Sequence, residues 1–281
     1  MHALKRFFDF ILFGNIYVAF AAVCLIQSTV VQIGLSNHLY FYSILSFFAT
    51  LFVYNLQRIF YSSQKDNSLL SIRRKWIFEN QFSIKILSII GLVGVAVSFF
   101  YNDYSIIFYL SPLLILSIAY FLPFVKLRKN TWFKLFTLAV VWTMVTALVP
   151  SLLINPNPFS TNNILHYFVR FFFIISICIP FDIRDMEVDK SESVFTLSQK
   201  LGENRTRWIA VVCMLIYISL ISIEFLCEMF TVKIFIALMI TAIINATIVF
   251  MSSSKRSEYF YTALLDGTMI LQGVVLILVT I

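Results

Sequence analysis

Charge is what this chain has least of. Only 12% of its 281 residues are Asp, Glu, Lys or Arg, against about a quarter in a soluble domain. With 60% hydrophobic residues, that scarcity excludes a sizeable soluble domain. The usual division of such a length into two soluble domains does not apply to helices in lipid. Histidine is scarce too: three residues, too scattered to form a metal set. The four cysteines (Cys24, Cys178, Cys213, Cys227) lie inside apolar segments, at spacings that fit no zinc pattern. They read as small buried hydrophobes. Acidic residues are fewer than basic ones, giving a net charge of +7. Lys and Arg flanking membrane segments explain that excess better than nucleic acid does.

What is abundant is apolar length. Nine segments are long enough to span a bilayer, at about twenty residues each. They cover about 10–33, 38–61, 82–101, 104–122, 134–154, 163–183, 207–227, 231–251 and 259–281. The expectation is an all-α integral membrane protein, a bundle of nine transmembrane helices forming one domain over 1–281. Eighteen of the 21 Lys and Arg fall in one alternating set of connections, the exceptions being Lys85, Arg170 and Lys233. The positive-inside rule then puts the N-terminus in the cytoplasm and the C-terminus on the opposite side. Lys5 and Arg6 precede an apolar run without a clear small-residue cleavage site, which reads as a retained first helix. The absence of a transit peptide favours a bacterial inner membrane, with membrane lipids as the surroundings.

The most informative stretch is Pro180-Phe-Asp-Ile-Arg-Asp-Met-Glu-Val-Asp-Lys190. Asp182, Asp185 and Asp189 are spaced i, i+3, i+7, which at about 100° per residue places them in roughly a 60° sector of one helix. Three like charges on one face repel and call for a cation. Mg²⁺ takes carboxylate oxygens together with substrate phosphates. Glu187 points elsewhere and reads as solvated.

Other polar residues are placed near the same membrane face. Asn55 and Arg58 share a helical face at the end of the second segment. Arg58 either snorkels or faces a polar cavity, where it meets an anionic ligand or the acidic face. Lys126, Arg128 and Lys129 follow the fourth segment, either as positive-inside anchors or as receivers of a phosphate group. Asp266 lies about two turns into the ninth segment, where an ionisable residue is a functional candidate or a partner for a basic residue of a neighbouring helix.

Together these residues resemble the UbiA-type intramembrane prenyltransferases over nearly the whole chain. That family has nine membrane helices. Its second aspartate-rich motif, D-x-x-D-x-x-x-D after the sixth helix, is matched by Asp182, Asp185 and Asp189. The continuation Thr196-Leu-Ser-Gln-Lys-Leu-Gly202 is similar to the family's T-L/I-x-x-x-x-G stretch. Tyr120 and Lys126 resemble the Tyr and Lys placed after its fourth helix. The first motif, N-x-x-x-D-x-x-x-D, is degenerate here. Asn55 matches, but Ile59 and Ser63 stand at the aspartate positions, with Arg58 beside them and Asp66 three residues beyond.

The resemblance implies Mg²⁺-dependent transfer of an isoprenoid group from a prenyl diphosphate to a lipophilic, often aromatic, acceptor. It implies metal ligation by Asp182, Asp185 and Asp189. Asp185, Asp189 and Arg58 would act at the diphosphate, Arg58 replacing the charge of a second metal. Asn55, Tyr120, Lys126, Arg128 and Asp266 would contact substrate. A different class of function is a non-catalytic isoprenoid-binding or scaffolding membrane protein of the same fold, which the degenerate first motif favours. A third, a small-molecule transporter, suits an intramembrane Asp266 but not charges gathered at one face.

Overall fold

The computed structural model describes residues 2–34, 39–61, 71–121, 131–191 and 196–280. In chain order the helices are α1 (His2–Phe13), α2 (Ile16–Gln32), α3 (Tyr40–Tyr61), α4 (Ile72–Glu79), α5 (Gln81–Phe99), α6 (Ile106–Phe121) and α7 (Thr131–Thr143). They continue as α8 (Val149–Ile154), α9 (Thr161–Arg184), α10 (Met186–Ser191), α11 (Leu197–Leu201), α12 (Glu203–Leu226), α13 (Val232–Phe250) and α14 (Asp266–Thr280). No strand occurs among the described residues.

Seven described helical runs are long and apolar enough to cross a membrane. The bent pair Ala3–Phe13 and Ile16–Gln32 makes an eighth if counted as one, and Ile106–Tyr120 is a shorter apolar helix. The chain is therefore an α-helical multi-pass membrane protein. Its outer faces agree: Phe82, Phe108 and Leu226 are more than three-quarters exposed, which water would penalise and lipid does not.

The first expected segment, 10–33, is not one straight helix. It bends by 56° between α1 and α2, because Asn15 adopts the left-handed conformation (φ 63°) that only Gly, Asn and Asp take readily. The bend frees the Gly14 carbonyl, and Asn55 of α3 donates its side-chain N–H to it at 3.0 Å. A second irregularity has the same logic. A π-helical turn, Met144–Leu148, joins α7 to α8 just before Pro150. Proline has no N–H to offer the Thr146 carbonyl. The Thr29 hydroxyl of α2 donates to that carbonyl instead, at 2.7 Å.

Close packing relies on glycine at two crossings. α3 lies against α5 where a Cβ on Gly91 would sit 2.7 Å from Phe52 N, and α2 lies against α14 where a Cβ on Gly273 would overlap the Cys24 carbonyl. Such small-residue contacts let helices approach without a hydrophobic drive between them. One core cluster runs through α2, α7, α9, α12, α13 and α14.

The cysteines form no disulfide. Cys24 is buried and Cys178 and Cys213 are half-buried, but Cys227 is exposed, contrary to the expectation that all four are buried. It is the C-cap residue of α12.

Candidate functional site

The basic ends of α3 and α9, with α4, α6, α7 and α14, surround a cavity of about 220 Å³. Its wall carries five basic side chains (Arg58, Arg73, Arg74, Lys134, Arg184) and three acidic ones (Asp182, Asp185, Asp266). Tyr120 also lines it. Arg58, Tyr120, Asp182, Asp185 and Asp266, each a candidate in the sequence, thus line one cavity.

The acidic stretch is not one helical face. α9 ends at Arg184, Asp185 is its C-cap, and α10 begins at Met186. Asp182 and Asp189 still lie side by side, and both turn to Lys134 at the start of α7. Lys134 Nζ is 2.8 Å from Asp182 Oδ1 and 2.7 Å from Asp189 Oδ2. The second Asp182 oxygen accepts the Leu197 N–H at 2.9 Å, because Thr196 caps the short helix α11 and presents that amide. Asp182 and Asp189 are 1% and 0% exposed. Charges so deeply buried persist only when paired in this way.

Asp185 goes elsewhere. Arg184 grips it with both prongs, Nε to Oδ1 and NH2 to Oδ2, each at 2.8 Å. Arg73 NH2 approaches the same carboxylate at 3.8 Å. Behind them Glu258 Oε2 lies 3.7 Å from Arg73 Nε and 3.6 Å from Arg184 NH1. The Arg184 guanidinium is oriented by the faces of Phe181 and Tyr261, at 4.7 and 5.6 Å. Burial alone would raise the Asp185 carboxyl, but the Arg184 pair, helped by Arg73, holds it well below the usual carboxylate range. Glu258 is likewise lowered: burial opposes, and Arg73 and Arg184 prevail. Arg73 itself is pulled down by burial and by Arg184, with Glu258 and Asp185 opposing. Cations crowded in a half-dry wall in this way favour an anion between them.

The expected metal site does not assemble. No group of three His, Cys, Asp or Glu side chains among the described residues is arranged to hold a metal ion. The donors are engaged: a lysine ammonium sits between Asp182 and Asp189, and an arginine fork covers Asp185. The three carboxylates as placed do not fit Mg²⁺, which needs open carboxylate oxygens at about 2.0–2.1 Å.

Asn55 also departs from expectation. It is fully buried and is not on the cavity wall. Its amide donates to Gly14 O and Leu51 O, and its Oδ1 accepts from Asn15 at 3.1 Å. It ties α3 to the bend before α2. Its neighbour Asn15 lines the cavity. Lys126 and Arg128, with Ser63 and Asp66, lie outside the described residues.

Several site residues escaped the sequence reading. Arg73, Arg184 and Lys134 look there like loop anchors, and Glu258 has no motif around it. The signal for Lys134 is its place within the first turn of an apolar run, where a lone cation needs a partner. A second cavity, of about 270 Å³, is almost wholly apolar and lies between α3, α5, α6 and α7. It shares Val53, Tyr54, Ser117, Val141 and Trp142 with the first. Trp142 Nε1 donates to the Tyr54 hydroxyl at 2.9 Å where the two meet.

The site is thus a charged cavity beside an apolar one, within an α-helical membrane bundle. No family model and no curated protein matches the sequence. Solved structures match its fold. A digeranylgeranylglyceryl phosphate synthase is similar at TM-score 0.59 and 15% identity, with 99% of this chain and 98% of that one aligned. A UbiA homolog from Archaeoglobus fulgidus bound to DMAPP and Mg²⁺ gives 0.63 and 13%, covering 95% and 98%. The same homolog bound to GPP and Mg²⁺ gives 0.64 and 14%, covering 96% and 99%. The chain has the fold of the UbiA-type prenyltransferases over its whole length.

Proposed function

We propose that this chain transfers an isoprenoid group from an allylic diphosphate to a lipophilic or aromatic acceptor within the membrane. The observation that carries the reading is a pair of adjacent cavities with five lining residues in common. The one lined by Arg58, Arg73 and Arg184 suits a diphosphate, and the apolar one beside it suits a hydrocarbon tail. Two solved structures of the shared fold hold such diphosphates. In this reading the end of the bundle with the basic connections is cytoplasmic, with nine spans, the N-terminus inside and the C-terminus outside, in a bacterial inner membrane.

In this reading the allylic C–O bond breaks and its electron pair leaves with the diphosphate oxygen. Arg58, Arg73 and Arg184 stabilise that developing charge in a site with little water. A nucleophilic atom of the acceptor attacks the carbocation, forming the new bond, and the acceptor then loses a proton. Asp266 is the carboxylate of the wall that no described Lys or Arg holds in an ion pair, which leaves it able to take that proton. The apolar wall keeps water from the carbocation.

The test is a screen of purified protein with allylic diphosphates of several lengths and mixed aromatic acceptors. It follows diphosphate release and prenylated product. A second reading, binding of an isoprenoid diphosphate without transfer, is favoured by the full engagement of Asp182, Asp185 and Asp189 with protein cations. It predicts saturable binding and no release.

A further inference from the structure

Lys134 stands between two of the carboxylates that would otherwise be open to a metal ion. Its Nζ is within 2.8 Å of one oxygen from each of Asp182 and Asp189, and its side chain is only 10% exposed. A single ammonium placed symmetrically between two buried carboxylates does locally what a bridging cation does: it holds the two acids together and offsets their charge. It also blocks the seat. Asp182 has no oxygen left over, since the other one takes the Leu197 amide. Asp185 spends both oxygens on Arg184.

Across the cavity the chain supplies what a metal would otherwise supply to a diphosphate. Arg58, Arg73 and Arg184 come from three different elements, α3, α4 and α9, and share one wall. Arg58 Nε is buried with no hydrogen-bond acceptor. Arg73 Nε and Arg184 NH1 are in the same condition, held only at ion-pair distance from Glu258. Buried guanidinium N–H groups left without acceptors are costly unless an anion completes them. Guanidinium N–H groups give phosphate oxygens charge-assisted hydrogen bonds that need no metal.

We infer that this cavity binds the diphosphate group directly through Arg58, Arg73 and Arg184, without Mg²⁺, and that Lys134 is a permanent cation in the metal's place. The inference rests on the isoprenoid-diphosphate reading above and adds that recognition is metal-independent.

The experiment uses the full chain in lipid nanodiscs and geranyl diphosphate as probe, with calorimetric binding measured in EDTA and again in excess Mg²⁺. The expected dissociation constants agree within about threefold, well under the tenfold step that 1.4 kcal/mol represents. Arg58→Leu should weaken binding about tenfold or more in both buffers, as for loss of charge-assisted hydrogen bonds. Binding abolished by EDTA and restored by Mg²⁺ overturns the inference and leaves the diphosphate reading standing. No binding in either buffer overturns the diphosphate reading itself, and the inference with it. A spectroscopic arm needs no turnover. Mn²⁺ paramagnetic resonance with geranyl diphosphate present should show no protein-bound ion for the natural chain. Lys134→Ala, which reopens the Asp182–Asp189 pair, should gain one. Bound Mn²⁺ in the natural chain contradicts the inference whether or not the variant folds.

Discussion

Trp142 and Tyr54 are joined by a hydrogen bond of 2.9 Å from the indole N–H to the phenol oxygen, with the ring centroids 6.4 Å apart and nearly perpendicular. The pair lies where the charged cavity meets the apolar one, and both residues line both. In the proposed reading a tail leaving the charged end passes them. Each methylene that reaches the apolar side is worth about 0.8 kcal/mol when buried.

The first prediction concerns chain length. Trp142→Ala widens the passage, and the ratio of affinities for farnesyl over geranyl diphosphate should rise by about tenfold or more, given that worth per methylene. Competition binding measures it. An unchanged ratio would place the tail elsewhere. Tyr54→Phe removes the acceptor for the Trp142 N–H, and the protein should lose about 1–3 kcal/mol of stability, read as a lower thermal midpoint in detergent.

A second prediction separates two aspartates that look equivalent in the sequence. Asp185→Asn leaves Lys134 with both its partners, but deprives Arg184 and Arg73 of a counter-charge. Diphosphate binding should hold or strengthen, because the wall becomes more positive. Asp189→Asn weakens the pairing of a buried ammonium and should chiefly destabilise the protein, by a few kcal/mol as for a broken buried pair. Parallel binding and unfolding curves distinguish the two. Both variants lose some stability with their ion pairs, but loss of diphosphate binding in Asp185→Asn would contradict this assignment.

A third prediction lies far from the cavity, in a buried ionic cluster joining α2, α9 and α12. Arg170, 1% exposed, donates to Leu25 O, Ser28 Oγ and Thr29 Oγ1 at 3.1–3.3 Å. His166 Nδ1 is 2.9 Å from Glu224 Oε1, and its Nε2 is 3.2 Å from Thr29 Oγ1. Thr29 spends its own hydrogen on Thr146 O, so His166 Nε2 must be the donor to it. Glu224→Leu removes the one acid of the cluster and should cost about 3–5 kcal/mol. Glu224→Gln should cost less. Equal midpoints for the natural chain and Glu224→Leu would contradict this role.

A fourth prediction is the acid limb of stability. Glu258 and Asp185 lie outside the membrane spans, and both are held below their ordinary values by Arg73 and Arg184. Their contribution is full above the unfolded-state carboxylate values and is lost as the pH falls through the lowered folded ones. The thermal midpoint should stay level down to the ordinary glutamate range and drop only below it. Glu258→Gln should flatten part of that drop.

Much of this was legible in the sequence, for physical reasons. Apolar length decides where helices run, so the expected segments fall on helical stretches, seven of them long and apolar enough to cross a membrane among the described residues and the first broken at Asn15. The acidic stretch at 182–189 and Arg58 pointed to the end of the bundle where the cavity lies. What spacing could not show was which cation would answer the carboxylates. Lys134 comes from a helix 48 positions before Asp182, and only the packing of α7 on α9 brings it there. Helical periodicity also failed at Asp185, because a helix that stops at Arg184 frees its cap to turn away. Asn55 shared a face with Arg58 on paper, yet the bend at Asn15 claimed its amide. The cluster at Arg170 carried one signal, a basic residue on the wrong side of the charge asymmetry. Its partners Thr29 and Glu224 were silent.

The claim at the centre is that one cavity pair holds one substrate, diphosphate at the arginines and tail beyond Trp142. The most direct measurement is a cryo-electron microscopy structure of the chain in nanodiscs with the non-hydrolysable geranyl S-thiolodiphosphate. The account predicts phosphate density within hydrogen-bonding reach of Arg58, Arg73 and Arg184, and a continuous tail between α3 and α7 into the apolar cavity. A diphosphate without contact to Arg58, or a tail that leaves the apolar cavity empty, would contradict it.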